Sequence, residues 1–335
     1  MAGAARKILV TPPNFDAAAT AFLARENCRA IFAEKAEAAL GEAELAELLR
    51  DCAAWIIGPG AAVTRTLAES APRCRAFVRR GVGYERLDID AIAELGRVAM
   101  IAAGGNDESV ADHVVGMMLA LARRAREQHL AMIAGDWSIK VSGDVFGKTI
   151  GVVGLGRTGR ALVRRLRGFD ARVLAATSRP DEDFARENGV EFVDLATLLR
   201  DSDFISLHAP LTSATRHMVD AEALAAMKPG AILINAGRGG LVDDAALLAA
   251  LRAGKLGGAG LDVFESETAP AMKAVAMELL ALPNVVATPH SAASTREGLA
   301  RTNMIAARCV VAALDGAEPP AGCVVRDGRR PASSA

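Results

Sequence analysis

The sequence predicts an α/β protein built of two doubly wound parallel-sheet domains, a central one inserted into a discontinuous outer one. Three observations carry this prediction. Short apolar runs alternate with Ala/Glu/Leu-rich helical stretches along the chain, and such alternation implies parallel strands joined by crossover helices. The 335 residues exceed what one ordinary core accommodates, so two domains are expected. Two long helical stretches follow the two series of runs, one leading from the first series to the second and one returning the chain.

The elements follow in order. The first series of apolar runs covers 8–10, 55–57, 76–79 and 98–101, with good helix formers such as those at 42–50 between them. A helix is expected over 109–126, because apolar positions 110, 114, 117, 118 and 121 make a helical stripe. The second series covers 149–153, 172–176, 204–207, 231–235, 258–263 and 285–288. These runs do not alternate apolar with polar residues, as expected of six parallel strands buried on both faces. Helical stretches at 159–167, 195–200 and 243–253 separate them, and a helix over 296–314 brings the chain back. The outer domain is therefore assigned 1–104 plus 295–325 and the central domain 105–294. The polar, Pro/Ser-containing residues 326–335 are expected to form a loose tail.

Composition excludes several functions. Hydrophobic residues make up 51% and charged residues 24%, the profile of a packed globular protein. A formal net charge of -1 and only 4% aromatics offer neither the basic surface nor the stacking platforms that nucleic acid requires. No stretch is long and apolar enough to suggest a membrane span or a signal peptide. The cysteines at 28, 52, 74, 309 and 323 are scattered and odd in number, which reads as reduced thiols in a cytoplasmic protein. The histidines at 113, 129, 208, 217 and 290 lack HxxxH or HxH spacing, so no metal site is expected.

Gly154-Leu-Gly156-Arg-Thr-Gly159 is a GxGxxG between a strand and a helix. The first glycine permits a tight turn, the second lets a pyrophosphate approach the backbone, and the third allows close helix packing. The following helix offers unpaired N–H groups and the positive end of its dipole to phosphates. The central domain is accordingly read as a Rossmann dinucleotide-binding domain. An NAD site commonly ends its second strand with an acid for the ribose hydroxyls. Here Thr177, Ser178 and Arg179 occupy that end, and no acid occurs until Asp181. Loss of a carboxylate and gain of a planar, bidentate cation favour NADP(H) over NAD(H).

Ligands in open α/β sheets bind beyond the carboxyl ends of the strands. Arg238, Glu267 and His290 stand just past three such ends. Arg238 can bridge a carboxylate and a keto oxygen. His290 suits a proton donor working near neutral pH, and a nearby Glu267 would favour its imidazolium and orient the ring. The set fits reduction of a 2-keto acid.

Several further segments stand in order along the chain: Arg80-Gly-Val-Gly-Tyr-Glu-Arg-Leu-Asp88, Asn106-Asp-Glu-Ser-Val-Ala-Asp-His113, the GxGxxG and His208-Ala-Pro-Leu-Thr212. Asn235-Ala-Gly-Arg-Gly-Gly-Leu-Val-Asp-Asp244, Gly260-Leu-Asp-Val-Phe-Glu-Ser-Glu267 and Thr288-Pro-His290 follow. With these the chain resembles the D-isomer-specific 2-hydroxyacid dehydrogenases over nearly its whole length. The resemblance implies hydride transfer between a nicotinamide cofactor and a small 2-keto/2-hydroxy acid of D configuration, with Arg238, Glu267 and His290 catalytic. It implies a carboxylate-binding turn at Gly81, Val82 and Gly83, and cofactor contacts at Ser109, Val110, Leu155, Arg157 and Thr158. Further cofactor contacts are implied at His208, Ala209, Pro210, Thr215, Ala236, Gly237, Arg238, Asp262, His290 and Ala292. A homodimer built on the central domain is also implied, with the active site in the cleft between domains.

Thr177-Ser178-Arg179 resembles the NADPH-preferring glyoxylate/hydroxypyruvate reductase branch. The family often has Glu-Pro where this chain has Glu267-Thr268, which predicts a less fixed glutamate loop. Two other readings remain: a nicotinamide-sensing binding protein of corepressor type with little turnover, and a short-form phosphoglycerate dehydrogenase. Trp137 is read as an anchor for the segment before Gly147, and His113 as a buried or interface histidine.

Overall fold

The computed structural model describes residues 4–329. It divides into two compact units, one made of the residues up to Asn106 together with those from Ser294 on, the other of Asp107–Ala293. Each is an α/β layer structure around its own sheet, the doubly wound parallel-sheet arrangement that the alternating pattern predicts.

In the first unit the strands are β1 (Arg6–Val10), β2 (Cys28–Phe32), β3 (Ala54–Ile57), β4 (Ala76–Arg79) and β5 (Val98–Ile101). In the second they are β6 (Thr149–Val153), β7 (Arg172–Ala176), β8 (Val190–Phe192), β9 (Phe204–Leu207), β10 (Ile232–Asn235), β11 (Gly258–Leu261) and β12 (Val285–Ala287). A last strand, β13 (Val324–Asp327), returns to the first sheet. The sheet orders are β13-β5-β4-β3-β1-β2 and β12-β11-β10-β9-β6-β7-β8. All pairings are parallel except that of β13 with β5.

Successive side chains of a strand point to opposite faces, and each sheet has a core on both. Ile8 and Val10 of β1 join one apolar cluster with Ala306 and Val310 of the helix Arg296–Asp315, while Leu9 joins another with Trp55 and Phe77. In the second unit Ile150 and Val152 pack with Val114 and Met118 of the helix Asp107–Ala122, and Val153 packs on the opposite face with Leu207 and Leu233.

The structure corrects the sequence reading at four places. Strands β2 and β8 lie at sheet edges, and their half-exposed residues, such as Glu191, dilute the apolar signature. The second sheet thus has seven strands rather than six. The helix expected over 109–126 is two helices, Asp107–Ala122 and Ala125–Ile133, broken where Arg124 adopts φ +48°. Arg326 and Asp327, expected in a loose tail, pair with Ala99 and Val98 in the first sheet; residues 330–335 of that tail lie outside the described residues.

Candidate active site

The carboxyl ends of β10, β11 and β12 are neighbours in the second sheet, so the residues that follow them are delivered to one edge. Asn235, buried at the end of β10, shapes the first loop: its side chain accepts from the Gly237 amide (3.1 Å) and donates to the Arg238 carbonyl (3.0 Å). Arg238 is half-buried there, its guanidinium donating to the Gly237 carbonyl at 2.8 Å.

Asp262, buried just past β11, fixes the turn after β12. Its carboxylate accepts from Thr288 Oγ1 (2.5 Å) and from the amides of Ser291 (2.8 Å) and Ala292 (3.0 Å). Its backbone carbonyl accepts from the His290 amide at 2.8 Å. His113 adds a contact, its Nε2 lying 2.9 Å from Thr288 Oγ1. These bonds hold His290 at φ +53°, a left-handed conformation that few non-glycine residues adopt and that surrounding contacts must impose.

The imposed turn places His290 Nδ1 2.7 Å from Glu267 Oε2, while Glu267 Oε1 accepts from the Phe264 amide at 2.9 Å. Burial pushes the Glu267 carboxyl up, but the His290 hydrogen bond, the Phe264 amide and the positive charges of His290 and Arg238 together hold it below its ordinary value. The same hydrogen bond to Glu267, outweighing burial, raises the His290 imidazole, helped by the charge of Asp262. Because the carboxylate is ionised, Nδ1 is the donor in this pair, and Nε2 is the atom left for proton exchange.

A close backbone contact locks the loops carrying Arg238 and Glu267 together. A β-carbon at Gly239 would lie 2.1 Å from the Phe264 carbonyl oxygen, so only glycine fits. Gly239→Ala should force the two loops apart and lower kcat by about 10–100-fold, the size expected for a displacement near 1 Å at a reacting site. Steady-state kinetics with the cofactor affinity measured in parallel checks this; a variant within twofold of the wild type would show that the contact is not needed.

The dinucleotide loop is set by similarly tight packing. Gly154 has φ +94°, and a β-carbon there would lie 2.8 Å from the His208 carbonyl and the Ala209 amide. This brings the loop against the segment that follows β9. At Gly156 an added β-carbon would meet nothing within 4 Å, so the face above the helix start is open. The helix Arg157–Leu166 begins with no side-chain cap and no acid in its first turn, so the positive end of its dipole can face an anion. These features fit the pyrophosphate of a dinucleotide.

At the end of β7, Thr177 Oγ1 accepts from the Arg179 amide (3.3 Å), and Ser178 and Arg179 are exposed. Asp181 is already engaged: it accepts from Arg160 at 2.7 Å and caps the helix Glu182–Asn188 through the Phe184 amide at 3.0 Å. His208 is paired with the buried Ser206 hydroxyl at 2.8 Å, and burial lowers its pKa to about 4, so it is neutral. Thr215 donates to the Pro210 carbonyl at 2.6 Å and steadies the 210–215 turn. Val110, Leu155 and Ala292 are buried in one apolar cluster, against which Ala236 packs, and Ser109 is buried one residue before Val110. Arg157 is exposed and Thr158 half-exposed on the first turn of the helix.

Gly81, Val82 and Gly83 belong to the other unit, just past β4. The Gly81 carbonyl accepts from the Ala102 amide and the Gly83 carbonyl from Arg79 Nε, both at 2.9 Å. None of the three amides donates to a group among the described residues. The neighbouring Arg80 guanidinium donates to the Pro13 carbonyl. Trp137, read as an anchor, is 74% exposed. Among the described residues no group of three or more His, Cys, Asp or Glu side chains could hold a metal ion, and no helix is long and apolar enough to cross a membrane.

Known proteins place this arrangement. A family model described as "D-isomer specific 2-hydroxyacid dehydrogenase, NAD binding domain" matches residues 115–292. The chain is 38% identical to a glyoxylate reductase of Korarchaeum cryptofilum, over 85% of this chain and 87% of that protein. It is 42% identical to glyoxylate/hydroxypyruvate reductase B of Yersinia enterocolitica, over 78% and 81% respectively. Among solved structures it is similar to a D-lactate dehydrogenase from Aquifex aeolicus complexed with NAD and lactic acid, with a TM-score of 0.83, 28% identity and coverage of 97% and 100%.

Proposed function

The chain belongs to the D-isomer specific 2-hydroxyacid dehydrogenases, and on that premise we propose that it is an NADPH-preferring reductase of small 2-keto acids in which His290 carries the proton. Family membership makes it an oxidoreductase with a nicotinamide cofactor. The observation that supports His290 as proton carrier is the 2.7 Å pair of His290 with Glu267 beside Arg238, and the exposed Ser178 and Arg179 after β7 support the NADPH preference.

The residues divide the work as follows. When bound, the nicotinamide supplies the hydride to the keto carbon. His290 starts as imidazolium, stabilised by Glu267, and gives the proton on Nε2 to the developing alkoxide. Arg238 polarises the keto oxygen and shares the carboxylate. The family resemblance assigns the remaining carboxylate contacts to the amides of Gly81, Val82 and Gly83, which donate to no group among the described residues. Oxidation of the 2-hydroxy acid runs the same steps backwards, with His290 starting neutral.

A panel of glyoxylate, hydroxypyruvate, pyruvate and longer 2-keto acids, run with NADPH and NADH, tests the proposal. Rapid loss of NADPH absorbance with glyoxylate or hydroxypyruvate is expected. Cofactor binding without turnover on any acid would favour the sensor reading, and faster oxidation of 3-phosphoglycerate would favour the phosphoglycerate dehydrogenase reading.

A homodimer is part of the same proposal. No residue of the helix Ala125–Ile133 is buried, and Ile133, Trp137, Ile139, Val141 and Phe146 are 65–96% exposed. Apolar surface of this extent marks an interface, and a second copy of the same surface is the occupant proposed. Light scattering after gel filtration should give twice the chain mass, and the double substitution Trp137→Asp, Ile139→Asp should give one chain mass. A monomeric wild type would exclude the dimer.

A further inference from the structure

Outside the Glu267–His290 pair, the second unit holds another histidine–carboxylate pair. Glu265 is buried two residues before Glu267, and its Oε1 lies 2.6 Å from His217 Nε2 and 3.1 Å from Arg216 Nη2. Its amide donates to the buried carboxylate of Asp244 at 2.9 Å, and its carbonyl accepts from the amides of Thr268 (3.1 Å) and Ala269 (2.8 Å). Glu265 therefore fixes both sides of the short turn that presents Glu267. The departure at Thr268, where Glu-Pro is common, leaves this turn without proline's restraint; these hydrogen bonds supply one.

His217 also reaches the loop that carries Arg238. Its amide donates to the Gly240 carbonyl at 2.7 Å, and Arg216 Nη1 would lie 3.4 Å from a β-carbon at Gly240. His217 holds φ +51°, a conformation that lets its backbone meet one loop while its ring meets the other. Val219, two residues on, continues the contact as a parallel bridge to Val242. One residue thus joins the Arg238 loop and the Glu267 turn by separate hydrogen bonds.

We propose that His217, acting on Glu265, is a positioning residue for the reaction: a clamp that keeps Arg238 and Glu267 in register without touching substrate. The proposal rests on the reductase reading given above. Arg216 and His217 face Glu265 from one side, and the Asp244 carboxylate faces its amide from the other, with Asp243 capping the same helix start. Loss of the His217 ring leaves Glu265 half-partnered, and the turn bearing Glu267 loosens from His290.

The test compares His217→Ala with His217→Gln. Both keep a β-carbon at the same positive φ, so their difference reports the side-chain donor alone. His217→Ala should lower kcat for keto acid reduction by about tenfold or more, with the NADPH dissociation constant within twofold, and His217→Gln should recover most of the loss. In parallel, the His290 imidazole, which faces Glu267, Asp262 and Arg238, is titrated by nitrogen-15 NMR. Its midpoint should fall in His217→Ala as Glu267 withdraws. An unchanged midpoint, or equal losses of kcat and cofactor binding in both variants, overturns the clamp. If the wild type reduces no keto acid the reductase reading fails, while the His290 titration still decides the clamp. Should His217→Ala not fold, Glu265→Gln is read by the same split between kcat and cofactor affinity: lower kcat at unchanged affinity supports the clamp, and kcat within twofold overturns it.

Discussion

Replacing His290 by alanine is expected to lower kcat by about three orders of magnitude while the cofactor dissociation constant stays within about twofold. General acid–base groups contribute about 10²–10⁴-fold, and His290 is the group whose free Nε2 and Glu267-paired Nδ1 suit it to exchange a proton. The dinucleotide loop is shaped by Gly154 against His208 and Ala209 and by β6 and β7, none of which depends on the His290 ring. Single-turnover kinetics and a fluorescence titration with NADPH separate the two quantities. Equal loss of both would show that His290 serves the cofactor site instead.

The pH dependence follows from the same pair. On the proposed mechanism reduction requires protonated His290, so its rate should be full below the His290 pKa and fall as pH rises through it. Glu267 raises that pKa above the ordinary 6.5, which extends the reducing range upward; oxidation of the hydroxy acid shows the mirror profile. Glu267→Gln removes the charge that supports the imidazolium and should move the falling limb to lower pH. A limb that stays in place would sever Glu267 from the proton carrier. The pair also links to folding: His290, whose folded pKa lies above its unfolded value, contributes stability that is full below about pH 6.5 and is lost as pH rises through the folded pKa. Glu267, whose folded pKa lies below its unfolded value, contributes stability that is present above the unfolded pKa and is lost as pH falls through the folded one.

Much of this was legible in the sequence because it is written in local patterns. The GxGxxG, the apolar runs of β6, β7, β9 and β10, and polar residues just past strand ends each announce themselves within a few residues. Sheet order then does the rest, since β10, β11 and β12 are neighbours. What local pattern does not hold is how one loop fixes another. Asn235 looks like the end of a strand, yet it frames the Arg238 loop. Asp262, implied as a residue near the nicotinamide, holds the His290 turn by three hydrogen bonds. His217 and Glu265 stand 48 residues apart and share no motif. The edge strands β2 and β8 escaped for a different reason, being short and solvated on one side.

Substituting Thr177 by aspartate should turn the cofactor preference over, lowering the ratio of kcat/KM with NADPH to that with NADH by about 100-fold. Thr177 follows directly on β7, where a carboxylate would accept from the ribose hydroxyls of NADH and repel a 2′-phosphate. Asp181, the first acid after the strand, is committed to Arg160 and to the Phe184 amide, and Arg160 lies 4.8 Å over the Phe184 ring. Under the proposed NADPH preference, Arg179, exposed beside Thr177, would be the cation for the phosphate. A charge-assisted pair contributes about 1.5–3 kcal/mol, or about 10–100-fold in affinity, so Arg179→Ala should raise KM for NADPH by that factor and leave NADH use nearly unchanged. Asp181→Asn is the control. It should disturb the helix cap and not the cofactor ratio; if it abolishes NADH use while Arg179→Ala changes nothing, Asp181 is the ribose ligand and the preference assigned to Arg179 falls.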